Sequence, residues 1–445
     1  MHLLFRAFRR TYRLSRWVRR RFTSTGHFVG GLCIASAVVG ADTRSTLAYK
    51  VTTLCVALLL VALAGARGFR PHLTAERQLS DMATVDEPLR YRVRLTNTGV
   101  KAEKGLSVAE SLDQSLPTYR EFRLAREPGE ELRNWFDRRV GYPRWEWLVA
   151  RQQGARNRPQ PLPTIPAGAT VELDLELTPL RRGHLRLPAL TLFRPDPLGT
   201  ARATRELPVL DTLLVLPRRY AVPAPDLPGR RNYQAGGEAQ AASVGESEEF
   251  LSLREYRPGD PLRRLHWRSW AKTGHPVVKE LQEEYFVRHA LVLDTFAGPE
   301  QTSAFEDAVS VAASLVTRMP SRDSLLDLVF AGTAIHWITA ERGRNGDARI
   351  LEMLASIAPI RDRPVSSLKL VLAQRIPLIS GCACVLLGWD RERQALVRWL
   401  RGQGTTLEVY AVYTGESRPE PGPMADQPSR FHPLPAGRLH QLLLR

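Results

Sequence analysis

Residues 253–274 read LREYRPGDPLRRLHWRSWAKTG and bring five arginines, two tryptophans, a histidine and a Pro-Gly-Asp turn into one short stretch. Two kinds of chemistry suit such residue types. His266 stands three residues before Ser269, a base beside a hydroxyl, and a hydrolase or metal-dependent enzyme would draw on Asp260, His266 and Asp294. Against it, no nucleophile elbow and no third partner accompany Ser269. The preferred reading is a structural clasp. Arg254, Arg257, Arg263, Arg264 and Arg268 then pair with carboxylates such as Glu255, Asp260 and Glu280, while His266 and Trp267 pack beneath them. Acidic residues interleave with the arginines, so a phosphate-binding track, and with it nucleic acid, is not expected.

The elements that must position this stretch follow it. PVVKELQEEYF (276–286) has strand propensity, and HALVLDT (289–295) is a short buried-strand run that ends in Asp294. Helical periodicity over 305–319, 348–357, 367–374 and 391–401 then alternates with strand runs at 325–330, 334–339, 383–389 and 407–413. Such alternation predicts a doubly wound α/β sheet over 250–415, with 416–445 as a tail. The Pro-, Gly-, Ala- and Ser-rich stretch 222–249 reads as a linker into it.

Upstream, residues 70–217 change character. LRYRVRLTN, TVELDLELTP, GHLRLPALTLFRPDPLG and TLLVLP alternate with period two between turn-forming residues, which predicts an antiparallel, immunoglobulin-like β-sandwich. An insertion at 119–161 breaks the rhythm with Trp135, Phe136, Tyr142, Trp145 and Trp147 among many arginines. It is expected to pack its aromatics on the sandwich or at a membrane interface, or else to dock a partner.

The 445-residue chain carries a formal net charge of +17, and eight arginines lie between Arg6 and Arg21. Nucleic acid is not needed to explain them, because two apolar runs follow directly, within 22–41 and 51–66. A transmembrane helical hairpin over 22–66 satisfies both backbones in lipid. Its flanks carry the eight arginines before it and Arg67, Arg70 and Arg77 after it, against Arg44 and Lys50 between. That bias predicts a multi-pass protein of the cell membrane with its basic N-terminus (1–21) and soluble domains in the cytoplasm, the N-terminal arginines meeting anionic headgroups. Four cysteines in apolar surroundings form neither a disulfide framework nor a zinc pattern.

The run EEFLSLREYRPGDPLRRLHWRSWAKTG, followed by VVKELQEE and a strand ending in aspartate, resembles the signature of the DUF-58 family. The signature residues are Arg254, Tyr256, Pro258, Gly259, Asp260, Arg263, Arg264, His266, Trp267 and Lys272, and looser likeness extends to LTNTG, RRGHLRL and DPLG. The resemblance implies a membrane hairpin, a β-sandwich and a von Willebrand factor A-like domain, together with a MoxR-type AAA+ ATPase as partner. It implies no enzymatic activity. In such a domain the top of the sheet often recognises its partner through a metal held by an Asp-x-Ser-x-Ser loop, a threonine and a distal aspartate. Asp294 and Asp390 match the two aspartates, and Thr333 or Thr339 the threonine. Phe296 and Gly298 replace both serines, so Mg²⁺ is not expected and no other cofactor is implied. The expected function is that of a membrane-anchored, cytoplasm-facing interaction protein acting with the ATPase on a client. A metal-dependent adhesion binder facing outward is opposed by the arginine distribution.

Overall fold

The fold comes from a computed structural model, which describes residues 1–40, 46–112, 116–125, 127, 130, 133–222, 224–227, 250–258, 260, 262, 265–281, 287–298, 301–319, 324–332, 335–341, 344–361, 364–415 and 417–439. Three helices open the chain: α1 (His2–Arg21), α2 (Ser24–Gly40) and α3 (Thr46–Arg67). Helices α2 and α3 pack in opposite directions, with the Ser36 and Thr52 hydroxyls 2.9 Å apart. Small residues meet inside the pair, where Ser36, Cys55 and Ala62 are buried, while Phe28, Ile34, Leu54 and Leu60 point outward. A helix pair folded by water would show the reverse. Among the described residues Leu47–Ala66 alone is long and apolar enough to cross a membrane, and Ser24–Gly40 is a shorter apolar helix of 17 residues.

The next unit holds β1 (Leu73–Gln78), β2 (Met82–Thr84), β3 (Leu89–Asn97) and β4 (Ser107–Ser111), then the short helices α4 (Tyr119–Leu124), α5 (Trp135–Val140) and α6 (Tyr142–Gln152). It ends with β5 (Ala155–Asn157), β6 (Gln160–Pro161), β7 (Thr170–Pro179), β8 (Gly183–Pro195) and β9 (Arg202–Leu216). Two sheets, β1-β3-β7-β5 and β2-β9-β8-β4-β6, share one core. Alternation decides which faces meet. Tyr91, Val93 and Leu95 of β3 turn inward, and Arg92 and Arg94 turn outward to acidic residues of β7. One pairing departs from the antiparallel expectation, since β2 runs parallel to β9. A charge network also lies within the unit. Arg77 donates to Glu110 at 2.9 Å and to Asp211 at 2.5 Å, and the Tyr91 hydroxyl lies 2.5 Å from Glu110. Arg77, expected as a charge flanking the membrane, instead holds its guanidinium inside the protein on Glu110 and Asp211.

The end of the insertion joins the two-sheet unit, as β5 pairs with β7 and β6 with β4, while its helices meet a further surface. Phe122, Trp145 and Leu148 from α4 and α6 form a separate cluster with Phe5, flanked by Phe8 and Tyr12 of α1. The aromatic insertion is thus a cradle for the basic N-terminal helix.

A two-stranded arm follows, β10 (Phe250–Glu255) and β11 (Val277–Leu281), with α7 (Trp267–Thr273) between them. It joins none of the other sheets. The last unit contains β12 (Val287–Leu293), α8 (Thr302–Arg318), β13 (Ser324–Ala331), β14 (Ile335–Glu341), α9 (Arg344–Ser356), α10 (Ser367–Arg375), β15 (Gly381–Leu387), α11 (Arg391–Gly402), β16 (Thr406–Tyr413) and β17 (Phe431–Pro435). Its sheet runs β14-β13-β12-β15-β16-β17, parallel except for β14. Leu291 and Leu293 of β12 face the layer of α8 and α9, and Ala290 and Val292 face that of α10 and α11. The doubly wound α/β architecture is therefore present. Residues 431–435, read from sequence as part of a tail, supply its edge strand. The stretch expected to be a linker also contributes core, because Val222 and Leu227 are buried against the α8 face. Residues 228–249 lie outside the described residues.

Arg182 links the two large units. From the β7–β8 turn it donates to the carbonyls of Leu354 and Ile357 at 3.2 and 2.5 Å and pairs with Glu306.

Candidate functional site

Strand order in the six-stranded sheet reverses between β12 and β15. In open α/β sheets the crevice beyond the carboxyl ends of such strands is where ligands bind. Asp294 leaves β12 at this point and is fully buried. One carboxylate oxygen accepts from the Phe296 N–H at 2.9 Å, and the other from the Leu387 N–H at 2.9 Å and Arg393 Nε at 2.6 Å. Arg393 belongs to α11, whose first turn is capped by Asp390 through the Arg393 N–H at 2.9 Å. The same guanidinium pairs with Asp390 and donates to the Phe296 carbonyl at 3.1 Å. Asp294 and Asp390 are thus brought together on one arginine.

The donor set does not fit a divalent cation. Both Asp294 oxygens already accept from N–H groups, and the charge they need is supplied by Arg393. Burial pushes the Asp294 carboxyl up, opposed by Arg393 and the two backbone N–H groups. Every contact it makes is with a donor, so the pair is ionised. On the partner side burial works against the Arg393 charge, but Asp294 and then Asp390 outweigh it and hold the guanidinium above its ordinary value. Of the candidate threonines, Thr339 does not complete a site. Thr339 donates to Asp327 at 2.6 Å, at the opposite end of the sheet where Arg288 also holds Asp327. Thr333 lies outside the described residues. Among the described residues no group of three or more His, Cys, Asp or Glu side chains could hold a metal.

The signature stretch forms the arm. Arg254 grips Asp260 with two prongs, at 2.7 and 2.8 Å, and the Arg257 N–H adds a third bond at 2.8 Å. The side-chain bonds from Arg254 first, and the backbone bond second, lower the Asp260 carboxyl to about 2. His266 Nδ1 lies 2.7 Å from Ser269 Oγ, and its backbone N–H reaches the Val277 carbonyl at 2.8 Å. The Tyr256 N–H closes the base of the arm on the Pro276 carbonyl at 2.9 Å, while Pro258 sits in the exposed turn. Trp267 and Trp270 stack with ring centres 5.2 Å apart and planes at 19°, and Trp267 is 64% exposed. Arg268 and Lys272 point to solvent on the same helix, and Arg268 makes no ion pair among the described residues. Gly259, Arg263 and Arg264 lie outside them.

Among the described residues the expected arginine lattice is represented by the Arg254–Asp260 pair. Nor are Asp260, His266 and Asp294 gathered into one site. Asp260 is engaged by Arg254, His266 by Ser269, and Asp294 by Arg393 beneath the sheet's carboxyl end. Arg393 escaped sequence reasoning, although its spacing of three from Asp390 carried part of the signal.

The family model described as "Protein of unknown function DUF58" matches residues 252–376. The uncharacterized protein YeaD of Bacillus subtilis (strain 168) is 26% identical over 151 residues, 33% of this chain. The chain spans 36% of that relative's length. Among solved structures, the CARDB domain of PF1109 from Pyrococcus furiosus covers 31% of this chain and 94% of its own, at 14% identity and a TM-score of 0.16. Proximal thread matrix protein 1 of the mussel byssus covers 36% of this chain and 44% of its own, at 12% identity and a TM-score of 0.26. At these scores neither likeness carries an argument about fold.

Proposed function

We propose that this chain, whose segment 252–376 belongs to the DUF58 family, is a membrane-anchored protein that recognises another protein through its α/β unit and arm. The observation that carries this reading is a contrast between two surfaces. The crevice where an α/β enzyme would hold a substrate is filled by Arg393, whereas the signature arm offers a stacked tryptophan pair to solvent. Exposed aromatics beside Arg268 and Lys272 suit a protein partner with apolar and acidic groups. By resemblance that partner is a MoxR-type AAA+ ATPase acting on a client, the two-sheet unit an immunoglobulin-like sandwich, and the α/β unit a von Willebrand factor A-like domain.

The anchor is a two-pass hairpin made of α2 and α3. Small residues inside and large apolar residues outside support it, as does the polar contact between Ser36 and Thr52. Eight arginines before α2 and Arg70 after α3 favour soluble units in the cytoplasm. A reporter fused after Arg445 should be active only in its cytoplasmic form.

The central test is co-purification of the full chain with a co-expressed MoxR-type ATPase. Replacing both Trp267 and Trp270 by alanine should abolish capture while leaving thermal unfolding unchanged, and retained capture would refute the arm as the docking surface. The competing hydrolase reading rests on the 2.7 Å contact between His266 and Ser269. No carboxylate among the described residues orients that histidine, which favours a local bond at the start of α7. Ser269→Ala should therefore leave cellular function intact.

A further inference from the structure

We propose that α1 lies in the plane of an anionic membrane surface, with Leu3, Leu14 and Trp17 in the acyl boundary and its arginines on the phosphates. The cradle formed by α4 and α6 holds it there. This rests on the membrane-anchored reading and extends it to a segment outside the hairpin.

Helix α1 has 20 residues, eight of them arginine and none acidic. Six of its apolar and aromatic residues fall on two lines. Phe5, Phe8 and Tyr12 face the cradle: Phe5 stands 5.5 Å from Trp145, Phe8 5.3 Å from Tyr142 and Tyr12 6.4 Å from Trp145, centre to centre. Positions 3, 14 and 17 fall within about 60° of one another around the helix axis, on the face opposite the cradle, and form the second line. Leu3 and Leu14 are 78% and 61% exposed, and Trp17, whose ring meets Phe22 edge-on at 6.1 Å, is still 48% exposed. Leucines lodged among arginines on an exposed stripe are the pattern of an interfacial helix, in which cationic stems reach past the apolar boundary to the headgroups.

Position agrees with composition. Directly after α1, Phe22 bridges to Ala201, and Thr23 Oγ1 donates to the Gly199 carbonyl at 2.5 Å. The apolar helix α2 begins at Ser24. Helix α1 is therefore tethered where the apolar pair meets the two-sheet unit, and the cradle fixes its rotation. Other occupants fit less well. A second copy would set eight arginines against eight, and nucleic acid would leave the leucines without a partner.

The test uses the full chain reconstituted in phosphatidylcholine vesicles with or without phosphatidylglycerol, part of the lipid carrying brominated acyl chains. The Trp17 contribution is the difference between the parent and Trp17→Phe. It should be quenched in the phosphatidylglycerol vesicles and lose that quenching in high salt or in Leu3→Ser/Leu14→Ser. An unquenched Trp17 in a chain that resists alkaline carbonate extraction would overturn this proposal and leave the hairpin standing. A chain released by carbonate would overturn both. Cross-linking between copies at position 14, equally efficient in detergent and in either lipid, would make a second copy the occupant and also refute it.

Discussion

Arg393 Nε lies 2.6 Å from Asp294 Oδ2 at the point where β12 ends and the strand order of the sheet reverses. An internal cation thus occupies the position where an α/β fold would admit a ligand or a metal. Removing it should be costly, because the carboxylate left behind has no access to water. Arg393→Met should destabilise the protein by about 3–5 kcal/mol, the usual cost of breaking a buried pair. Adding Asp294→Asn should recover much of that loss, since replacing both charges removes the orphan. Denaturant unfolding of the single and double variants measures the difference. Equal stability of Arg393→Met and the parent would mean that the pair is not buried in solution.

The same pair predicts indifference to divalent cations. Both Asp294 oxygens already accept from N–H donors and Arg393 supplies the compensating charge, so Mg²⁺ should not raise the melting temperature of the full chain in detergent. A rise that disappears in Asp294→Ala would show that cations displace the arginine.

Much of the α/β unit is legible in the sequence because its strands are buried on both faces. HALVL and ACVLL are continuous apolar runs, and the helices between them keep a clear period. The edge strand β17 was hidden for a local reason. FHPLP carries two prolines, which argue against a central strand but are tolerated at the border of a sheet. Arg393 was hidden for a tertiary reason. RERQALVRWLRG reads as an ordinary amphipathic helix, and apart from the spacing of three from Asp390 nothing local separates Arg393 from Arg391 or Arg398. Its burial follows from where β12 ends, which no window of sequence contains. For Arg77 the error was one of assignment, since a basic residue soon after an apolar run resembles a flanking charge until the sheet closes over it.

The Arg77 network supports a second stability prediction. Arg77 and Glu110 are almost fully enclosed, with the Tyr91 hydroxyl on the same carboxylate. Burial, then Glu110, raise the Tyr91 hydroxyl far above its ordinary value, so it remains a donor at any working pH. Arg77→Ala should cost about 3–5 kcal/mol by leaving Glu110 unpaired, and Glu110→Gln in that background should restore part of it. Urea unfolding followed by circular dichroism of the strands would reveal it. A neutral Arg77→Ala would return this arginine to the flanking role that the sequence suggested.

Arg182 should control coupling between the two large units. Its guanidinium ties the β7–β8 turn to the Leu354 and Ile357 carbonyls and lies over the Phe305 ring at 5.1 Å. Burial, then the neighbouring Arg181, pull it down to about 10. Arg182→Ala removes charged hydrogen bonds worth about 2 kcal/mol across the seam. In calorimetry the variant should separate into two transitions where the parent shows closer coupling. Superimposable traces would mean that the apolar contacts of Leu214 and Leu216 join the units unaided.

The arm supplies the pH test. Asp260 has a folded-state pKa of about 2, below the ordinary aspartate value near 3.9, because the ionised form is gripped by Arg254 and then by the Arg257 N–H. With the folded value depressed, the stabilisation is complete above the unfolded value and is lost as the pH falls through about 2. The arm should therefore stay closed at pH 4 and open only in stronger acid, with the stacked Trp267 and Trp270 as built-in reporters. Carboxyl chemical shifts should place the Asp260 midpoint near 2 in the parent and closer to the ordinary value in Arg254→Ala, where the backbone bond alone remains. Arg268→Ala, at an exposed position, should leave the midpoint unmoved. A parent midpoint near 4 would show that the two-pronged pair does not persist in solution, and the signature stretch would then have to be read as a binding surface throughout rather than as a clasp that carries one.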